Sequence, residues 1–399
     1  MLLRWSKLVF LFLLPCVHYA QSLGFALEQI NADMLISQGL DGSGVKVGII
    51  DGGFLGANDS PSLSNHFQEG RVAYYRDFIS PEMAAYSGST KLNDDHGTQV
   101  WELIGGSNTE TGIQLGLATG ATYYLARTDH GVKESRQEEK YLIQAMDEMI
   151  NQGVRLFNIS LGYTNQYNDS RENYTPDQID GKSSWITHSL DSLLAIHDVL
   201  VIISAGNDGD ARWKVLSAPA DSKNVLTVGA AKLMHWESMK YSSIGPNWLG
   251  YVKPDVSCYS SEGTSFSAPI ITGLVACIMQ YDSSLKPSQI KDLIMQSSHL
   301  YPFPNNLTGY GVPTCDRLSN LLNGTFKTNT PKETTKRSYS INLSGSSWRK
   351  RATVYHKQYW RVIHTDYPKL KNKLRIKRPK DVNQSTVLLG NQALEIMWE

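Results

Sequence analysis

The chain has 399 residues, 41% of them hydrophobic and 19% charged, and its formal net charge is zero. This is ordinary globular composition; it excludes a collagen-like or wholly disordered chain and leaves room for one large domain plus a small one. The balance gives no reason to expect a nucleic-acid partner, yet it is uneven: residues 336 to 380 hold fourteen Lys and Arg against one Asp, so the remainder is acidic.

Residues 1–20 have the form of a secretory signal. Arg4 and Lys7 precede the apolar run Leu8-Val9-Phe10-Leu11-Phe12-Leu13-Leu14, and Ala20 offers a small residue for cleavage before Gln21. The run is too short for a typical membrane span. Pro15 fits a lipidated Cys16 poorly. An exported protein without a transmembrane segment is expected. Cleavage would leave Cys258, Cys277 and Cys315, an odd number that argues against a disulfide framework. One bridge involving Cys315 stays open, and no zinc-ligand pattern is present.

An N-terminal arm with a helical turn or two (27–38) is expected before Val45-Lys46-Val47-Gly48-Ile49-Ile50-Asp51, a strand buried on both faces. Residues 54–90 read as loop. A helix opens at His96, a strand covers 121–127, and a helix covers 138–152. The run 155–162 is a further strand, 164–183 a polar surface loop, and 185–197 a helix. Strands follow at 199–207 and 224–230, with helices after Ser265 and from Pro287 to Gln296. Strands alternating with helices predict an α/β domain, a parallel sheet with helices on both faces. Residues 322–340 read as a polar linker. Beyond it Ala352–His356, Lys373–Lys377 and Ala393–Trp398 alternate apolar and polar residues, which predicts a small basic antiparallel β unit over 341–399. Its Lys and Arg residues read as a solvated sheet face.

The chemistry centres on Gly263-Thr264-Ser265-Phe266-Ser267-Ala268-Pro269, where a loop turns into an apolar helix. Taken alone, the hydroxyls there are most simply helix caps. Two other residues change that reading: Asp51 at a strand end and His96 at a helix start. A serine hydroxyl is a poor nucleophile unless an imidazole takes its proton and a carboxylate orients that imidazole.

Four blocks, Val47 to Gly53, His96-Gly97-Thr98, Ser204-Ala205-Gly206-Asn207 and Gly263 to Pro269, stand in the order found in subtilisin-like serine proteases, which this chain resembles over roughly residues 25–320. The resemblance implies Asp51 as orienting carboxylate, His96 as general base and acid, Ser265 as nucleophile and Asn207 as oxyanion donor. It implies that Ser160-Leu161-Gly162 pairs with a substrate backbone and that Ser204, Ala205 and Gly206 line the substrate site. No cofactor is required, and no metal ligand is assigned. Calcium sites are frequent in the family; Asp169, Glu172, Asp177 and Asp180 offer ligands, although a solvated loop is the simpler reading.

Three departures stand out. Gln99 and Trp101 replace a second His and a small residue, at positions expected to face away from the nucleophile. Gly52 replaces a common Ser or Thr and removes one hydrogen bond from the carboxylate. About thirty residues separate the signal from the Asp51 strand, too few for the long propeptide many members carry. The expectation is a monomeric exported endopeptidase acting on a peptide or protein substrate, with a catalytically weak binding protein and a serine esterase or acyl transferase as alternatives.

Overall fold

The computed structural model describes residues 22–131, 134–343, 351–370 and 372–399. The expected signal peptide lies outside the described residues. Seven strands form one all-parallel sheet: β1 (Lys46–Asp51), β2 (Val72–Asp77), β3 (Thr122–Arg127), β4 (Leu156–Ile159), β5 (Leu200–Ser204), β6 (Leu226–Ala231) and β7 (Val256–Tyr259). Their spatial order is β7-β6-β5-β4-β1-β3-β2. In β1 every residue after Lys46 is buried, and β5 and β6 are buried throughout, so apolar runs without alternation fill the middle of the sheet. Strand β2 lies inside the stretch expected to be loop. It is an edge strand, mostly half-exposed, and its Val-Ala-Tyr-Tyr-Arg-Asp sequence lacks the apolar run of a central strand.

Helices cover both faces. Helices α1 (His96–Gly105), α2 (Arg136–Asn151), α3 (Trp185–Leu194), α4 (Ala268–Tyr281), α5 (Pro287–Gln296) and α6 (Cys315–Leu322) follow the chain. Apolar side chains of α1, α4, α5 and α6 share one core, and those of α2 and α3 share the other. The N-terminal arm forms two short helices, Phe25–Gln29 and Asp33–Ile36, against the first core. Helix α4 is buried from Ala268 to Ile278, and it holds the stretch Thr264–Tyr281 that is long and apolar enough to cross a membrane by length and composition. That stretch is 78% buried inside the protein, so its apolarity is explained by the core. Pro269 sits in the first turn of α4, where a missing N–H costs no helical hydrogen bond. Cys258, Cys277 and Cys315 are buried free thiols, so the bridge left open for Cys315 is not formed.

The C-terminal unit has seven strands: β8 (Lys332–Thr334), β9 (Ser338–Asn342), β10 (Thr353–Gln358), β11 (Arg361–Asp366), β12 (Lys373–Lys377), β13 (Gln384–Leu389) and β14 (Gln392–Trp398). A five-stranded sheet runs β8-β14-β13-β10-β11, antiparallel except for β8 beside β14, and β9 pairs with β12. Strand β8 and part of β9 fall within the 322–340 stretch; β8 is polar throughout, whereas β9 alternates, with Tyr339 and Ile341 packed on the core of the unit. In β12 the alternation is clean, with Leu374 and Ile376 buried and Lys373, Arg375 and Lys377 exposed. Lys357 departs from the expected solvated face. It is fully buried, its Nζ 3.1 Å from Glu395 Oε1, and it donates to the carbonyls of Phe303 and Pro304 in the α/β domain. Thr353 donates to Glu237, the Val362 amide to Asn306, and Tyr355 and Leu388 pack on Leu300. The basic unit is thus fastened to the α/β domain.

Candidate active site

The site forms at the carboxyl ends of the parallel strands, where functional groups of open α/β sheets collect. Asp51 is the last residue of β1 and is wholly buried. His96 opens α1. Gly97 explains why the helix can start there: a Cβ at Gly97 would lie 2.4 Å from the Gly53 carbonyl and 2.9 Å from Asp51 Cβ. The Gly97 amide donates to Gly53 and the Thr98 hydroxyl to Leu55, so the His-Gly-Thr block clamps α1 onto the chain after Asp51.

His96 Nδ1 lies 2.6 Å from Asp51 Oδ1, which also accepts the Gly52 amide at 2.8 Å. The other oxygen, Asp51 Oδ2, is buried and has no hydrogen-bond partner among the described residues, consistent with the glycine at position 52. Burial acts to lower the His96 pKa, but the charge and hydrogen bond of Asp51, with Asp129 and Asp95 adding to them, raise it above the ordinary histidine value. The ring faces Phe266, the residue after Ser265, with centroids 5.3 Å apart.

Ser265 sits in the helical turn Thr264–Phe266 that leads into α4. Its hydroxyl donates to the Ser160 carbonyl at 3.2 Å, and the Ser160 hydroxyl returns a bond to the Ser265 carbonyl at 2.9 Å. Among the described residues the hydroxyl bonds to that carbonyl rather than to the His96 ring. Asn207 follows β5. Its Oδ1 accepts from the Thr264 amide at 2.8 Å and from the Thr264 hydroxyl at 3.0 Å. Those two bonds fix the carbonyl end of the amide and leave Nδ2 as the free donor. The Gly263 backbone is extended, and a Cβ there would stand 3.4 Å from Asn207 Nδ2, narrowing the approach to that donor.

The remaining expected residues divide into two groups. Leu161 and Gly162 follow β4, and no backbone hydrogen bond of theirs closes among the described residues. Ser204 ends β5; Ala205 gives its amide to Val228 and accepts from Ser217, and the Gly206 amide donates to Thr264 Oγ1 at 3.0 Å. These groups are closed internally and form a wall rather than a pairing edge.

Gln99 does not face wholly away. It is exposed and, with Leu23, Phe25, Leu103, Ile113 and Phe266, lines an apolar groove of about 550 Å³. Trp101 is pure core, packed on His66, Phe67 and Tyr123. Three of the four acidic loop residues weighed as calcium ligands have partners within the protein: Asp169 pairs with Arg171, Glu172 accepts the Arg136 amide, and Asp180 accepts the Lys182 and Ser183 amides.

Sequence reasoning missed Arg127. Its guanidinium is 4% exposed, donates to the Gly52 carbonyl at 3.0 Å, and pairs with Asp77 at 3.2 Å and Asp94 at 2.7 Å. It therefore ties the residue after Asp51 to the residue two before His96. A charged residue at a buried strand end, with Asp94 near the histidine, was the available signal.

An Asp–His pair at the end of a parallel sheet and a serine at a helix start are parts that serine hydrolases use. Comparison with known proteins narrows the class. The subtilase family model, peptidase S8, matches residues 42–311. Subtilisin NAT of Bacillus subtilis subsp. natto is 26% identical over 286 residues, covering 69% of this chain and 65% of its own, so the match spans just under two thirds of that relative. Subtilisin DY of Bacillus licheniformis is 25% identical over 291 residues, covering 70% of this chain and 92% of its own. Among solved structures, the Clostridium perfringens CspB protease superposes with a TM-score of 0.58 at 13% identity, over 74% of this chain and 98% of its own, a likeness of fold. The chain belongs to the subtilase family.

Proposed function

We propose that this protein is an exported serine endopeptidase. The observation that carries the reading is the 2.6 Å contact of His96 Nδ1 with the buried Asp51. It occupies one ring nitrogen and leaves Nε2 as the base. Ser265 Oγ attacks the carbonyl carbon of a peptide bond as His96 Nε2 takes its proton. The carbonyl oxygen becomes an oxyanion that Asn207 Nδ2 and the Ser265 amide stabilise. His96 then protonates the leaving amine, and water, activated by the same ring, hydrolyses the acyl-enzyme. Leu161 and Gly162 offer unpaired backbone groups, which supports extended binding of a peptide by strand addition, with Ser160 at the start of that edge. Ser204, Ala205 and Gly206 form the adjoining wall, and the groove between Phe25 and Phe266 gives room for an apolar substrate side chain.

The Ser265–Ser160 bond describes a resting hydroxyl. Rotation about one side-chain bond redirects it, and substrate pairing supplies the occasion. The same bond favours the second reading, a subtilase-fold binding protein with weak catalysis. Labelling with a fluorophosphonate probe separates the two. The endopeptidase reading expects labelling of the folded chain that is absent in Ser265→Ala, together with cleavage of internal bonds in a peptide library. Folded protein that resists the probe supports the binding-protein reading. Labelling with ester turnover but no peptide cleavage supports the esterase.

A further inference from the structure

The C-terminal unit carries an excess of positive charge that its packing does not use. Residues 332–399 hold fifteen Lys and Arg against five Asp and Glu, in a chain that is neutral as a whole. Lys373, Arg375 and Lys377 stand exposed on one face of the two-stranded ribbon of β9 and β12, while Leu374 and Ile376 turn to the core. The register sets Asn342 opposite Lys373, Ser340 opposite Arg375 and Ser338 opposite Lys377. The outer face therefore consists of three cations and three neutral polar residues. Arg375 Nε donates to Ser338 Oγ at 3.0 Å, and among the described residues no carboxylate forms an ion pair with any of the three cations. Exposed cations of the α/β domain behave differently: Arg76 pairs with Glu148, Arg171 with Asp169 and Lys286 with Asp198. Like charges in a row repel one another and work against the compact state, so packing alone does not favour this arrangement.

The spacing of the row defines what it can meet. Alternate residues of a strand lie about 6.8 Å apart. Two residues are six backbone bonds, so an extended polymer with one charge per six backbone bonds repeats at about the same 7 Å step. A phosphodiester of a three-carbon polyol has that repeat. The row also borders a cleft of about 950 Å³, where Lys336 adds a fourth cation beside Lys373 and Arg375, and where Glu333 and Glu399 are the acidic lining. No aromatic or large apolar side chain stands on the outer face itself. Nucleic-acid bases find no stacking platform there, and a membrane finds no apolar anchor.

We propose that the outer face of the β9–β12 ribbon binds a linear phosphodiester polymer extended along β12, with Lys373, Arg375 and Lys377 each meeting one phosphate. The contacts are charge-assisted hydrogen bonds, and the counterions they release supply most of the affinity. Ser338, Ser340 and Asn342 offer neutral donors alongside. Because Lys357 fastens this unit to the α/β domain, bound polymer would hold the Asp51–His96–Ser265 site at a fixed place beside it. The binding uses none of the residues of that site, so it stands or falls separately from the endopeptidase reading.

The test uses the full chain carrying Ser265→Ala to prevent self-cleavage, and end-labelled poly(glycerol phosphate) free of lipid as the probe, read by fluorescence anisotropy. A Kd of about 10⁻⁶–10⁻⁴ M is expected at physiological salt. Three neutralised phosphates should make log Kd rise with log salt at a slope of about 2, and each cation removed should lower that slope by about 0.7. Lys373→Gln, Arg375→Gln and Lys377→Gln together should weaken binding at least about tenfold, whereas Lys140→Gln, Lys223→Gln and Lys240→Gln, the same charge change on the α/β domain, should not. Lys373→Arg with Lys377→Arg should bind within about threefold of the parent, since either cation neutralises a phosphate. The ribbon triple variant should melt at or above the parent, because it removes repelling charges, which separates a lost site from a lost fold. Absence of binding in the parent, or equal weakening by the two triple variants, overturns the proposal. So does tighter binding, at equal phosphate concentration, to vesicles of an anionic phospholipid or to a single-stranded oligonucleotide.

Discussion

The two β regions of this protein handle charge in opposite ways. The parallel sheet is buried on both faces, so its strands are apolar along their length and charge collects at their ends: Asp51 and Arg127 close β1 and β3 side by side in register. The antiparallel sheets of the C-terminal unit keep faces in water, so Lys373, Arg375 and Lys377 are spread along a strand between buried Leu374 and Ile376. Both regions bury cations, two in the first (Arg127 and Lys253) and Lys357 in the second, and Arg127 and Lys357 serve different ends. Arg127 braces the turns that carry Asp51 and His96, whereas Lys357 fastens one unit to the other. The buried charge of Arg127 is therefore coupled to the site, and that of Lys357 to docking, while Lys253 is held by Asp255, Thr227 and the Val225 carbonyl.

The largest expected effect lies at the strand ends. Ser265→Ala should lower kcat/KM for a peptide substrate by about four to six orders of magnitude, and Asn207→Ala by about 10²–10³, mostly in kcat. Steady-state kinetics on folded protein checks both, and a KM-only effect of Asn207→Ala would remove it from the oxyanion site. The comparison is broken or upheld by Arg127 and Lys357. Arg127→Met leaves Asp77 and Asp94 without their counter-ion and should cost about 3–5 kcal/mol of stability. It should also lower kcat per folded molecule by tenfold or more, because the Asp51 and His96 turns lose their common anchor. Denaturant unfolding together with active-site titration separates the two effects. Lys357→Met should cost about 3–5 kcal/mol as well, by stranding Glu395, yet leave kcat per folded molecule unchanged; adding Glu395→Leu should recover most of the loss. If Lys357→Met slows catalysis as much as Arg127→Met does, the division between the regions fails.

The smallest effect is one of pH. The His96 pKa is raised, so the protonated, inactive ring persists above the ordinary value of 6.5, and kcat/KM should climb through a midpoint above that pH. Because the Asp51 charge helps hold the pKa up, Asp51→Asn should move the midpoint of its residual activity downward. A wild-type midpoint at or below 6.5 would contradict the pairing on which the site is built.

Much of the fold was legible because its signals are local. The runs at 46–51, 200–204 and 226–231 are apolar without alternation, and α5 begins and ends where Pro287 and Gln296 place it. Strand β2 was hidden because an edge strand need not be apolar on both faces, and β8 because its side chains are polar and its pairing with β14 is remote in sequence. At the site, motif order located Asp51, His96, Asn207 and Ser265. A charge at the end of an apolar strand flags Arg127 but not what it braces, since its carboxylate partners are fifty and thirty-three residues away. In the acidic loop 164–183, Asp169, Glu172 and Asp180 are taken up by Arg171, the Arg136 amide and the Lys182 and Ser183 amides, pairings that composition does not show.

Read as a string, the chain already specifies the α/β alternation, the β character of the C-terminal unit, and the residue types able to form an Asp–His–Ser arrangement. These follow from side-chain periodicity and from motifs a few residues long. Tertiary packing alone brings Asp51 within 2.6 Å of His96, rests the Ser265 hydroxyl on the Ser160 carbonyl, makes Lys357 a buried clamp, and gathers the carboxylates of Asp129, Glu134 and Glu138 within 4.8 Å. Hydrogen bonds and ion pairs depend on ångström separations between residues far apart in the chain. Those separations are set by how the sheet and helices pack, which no local pattern encodes.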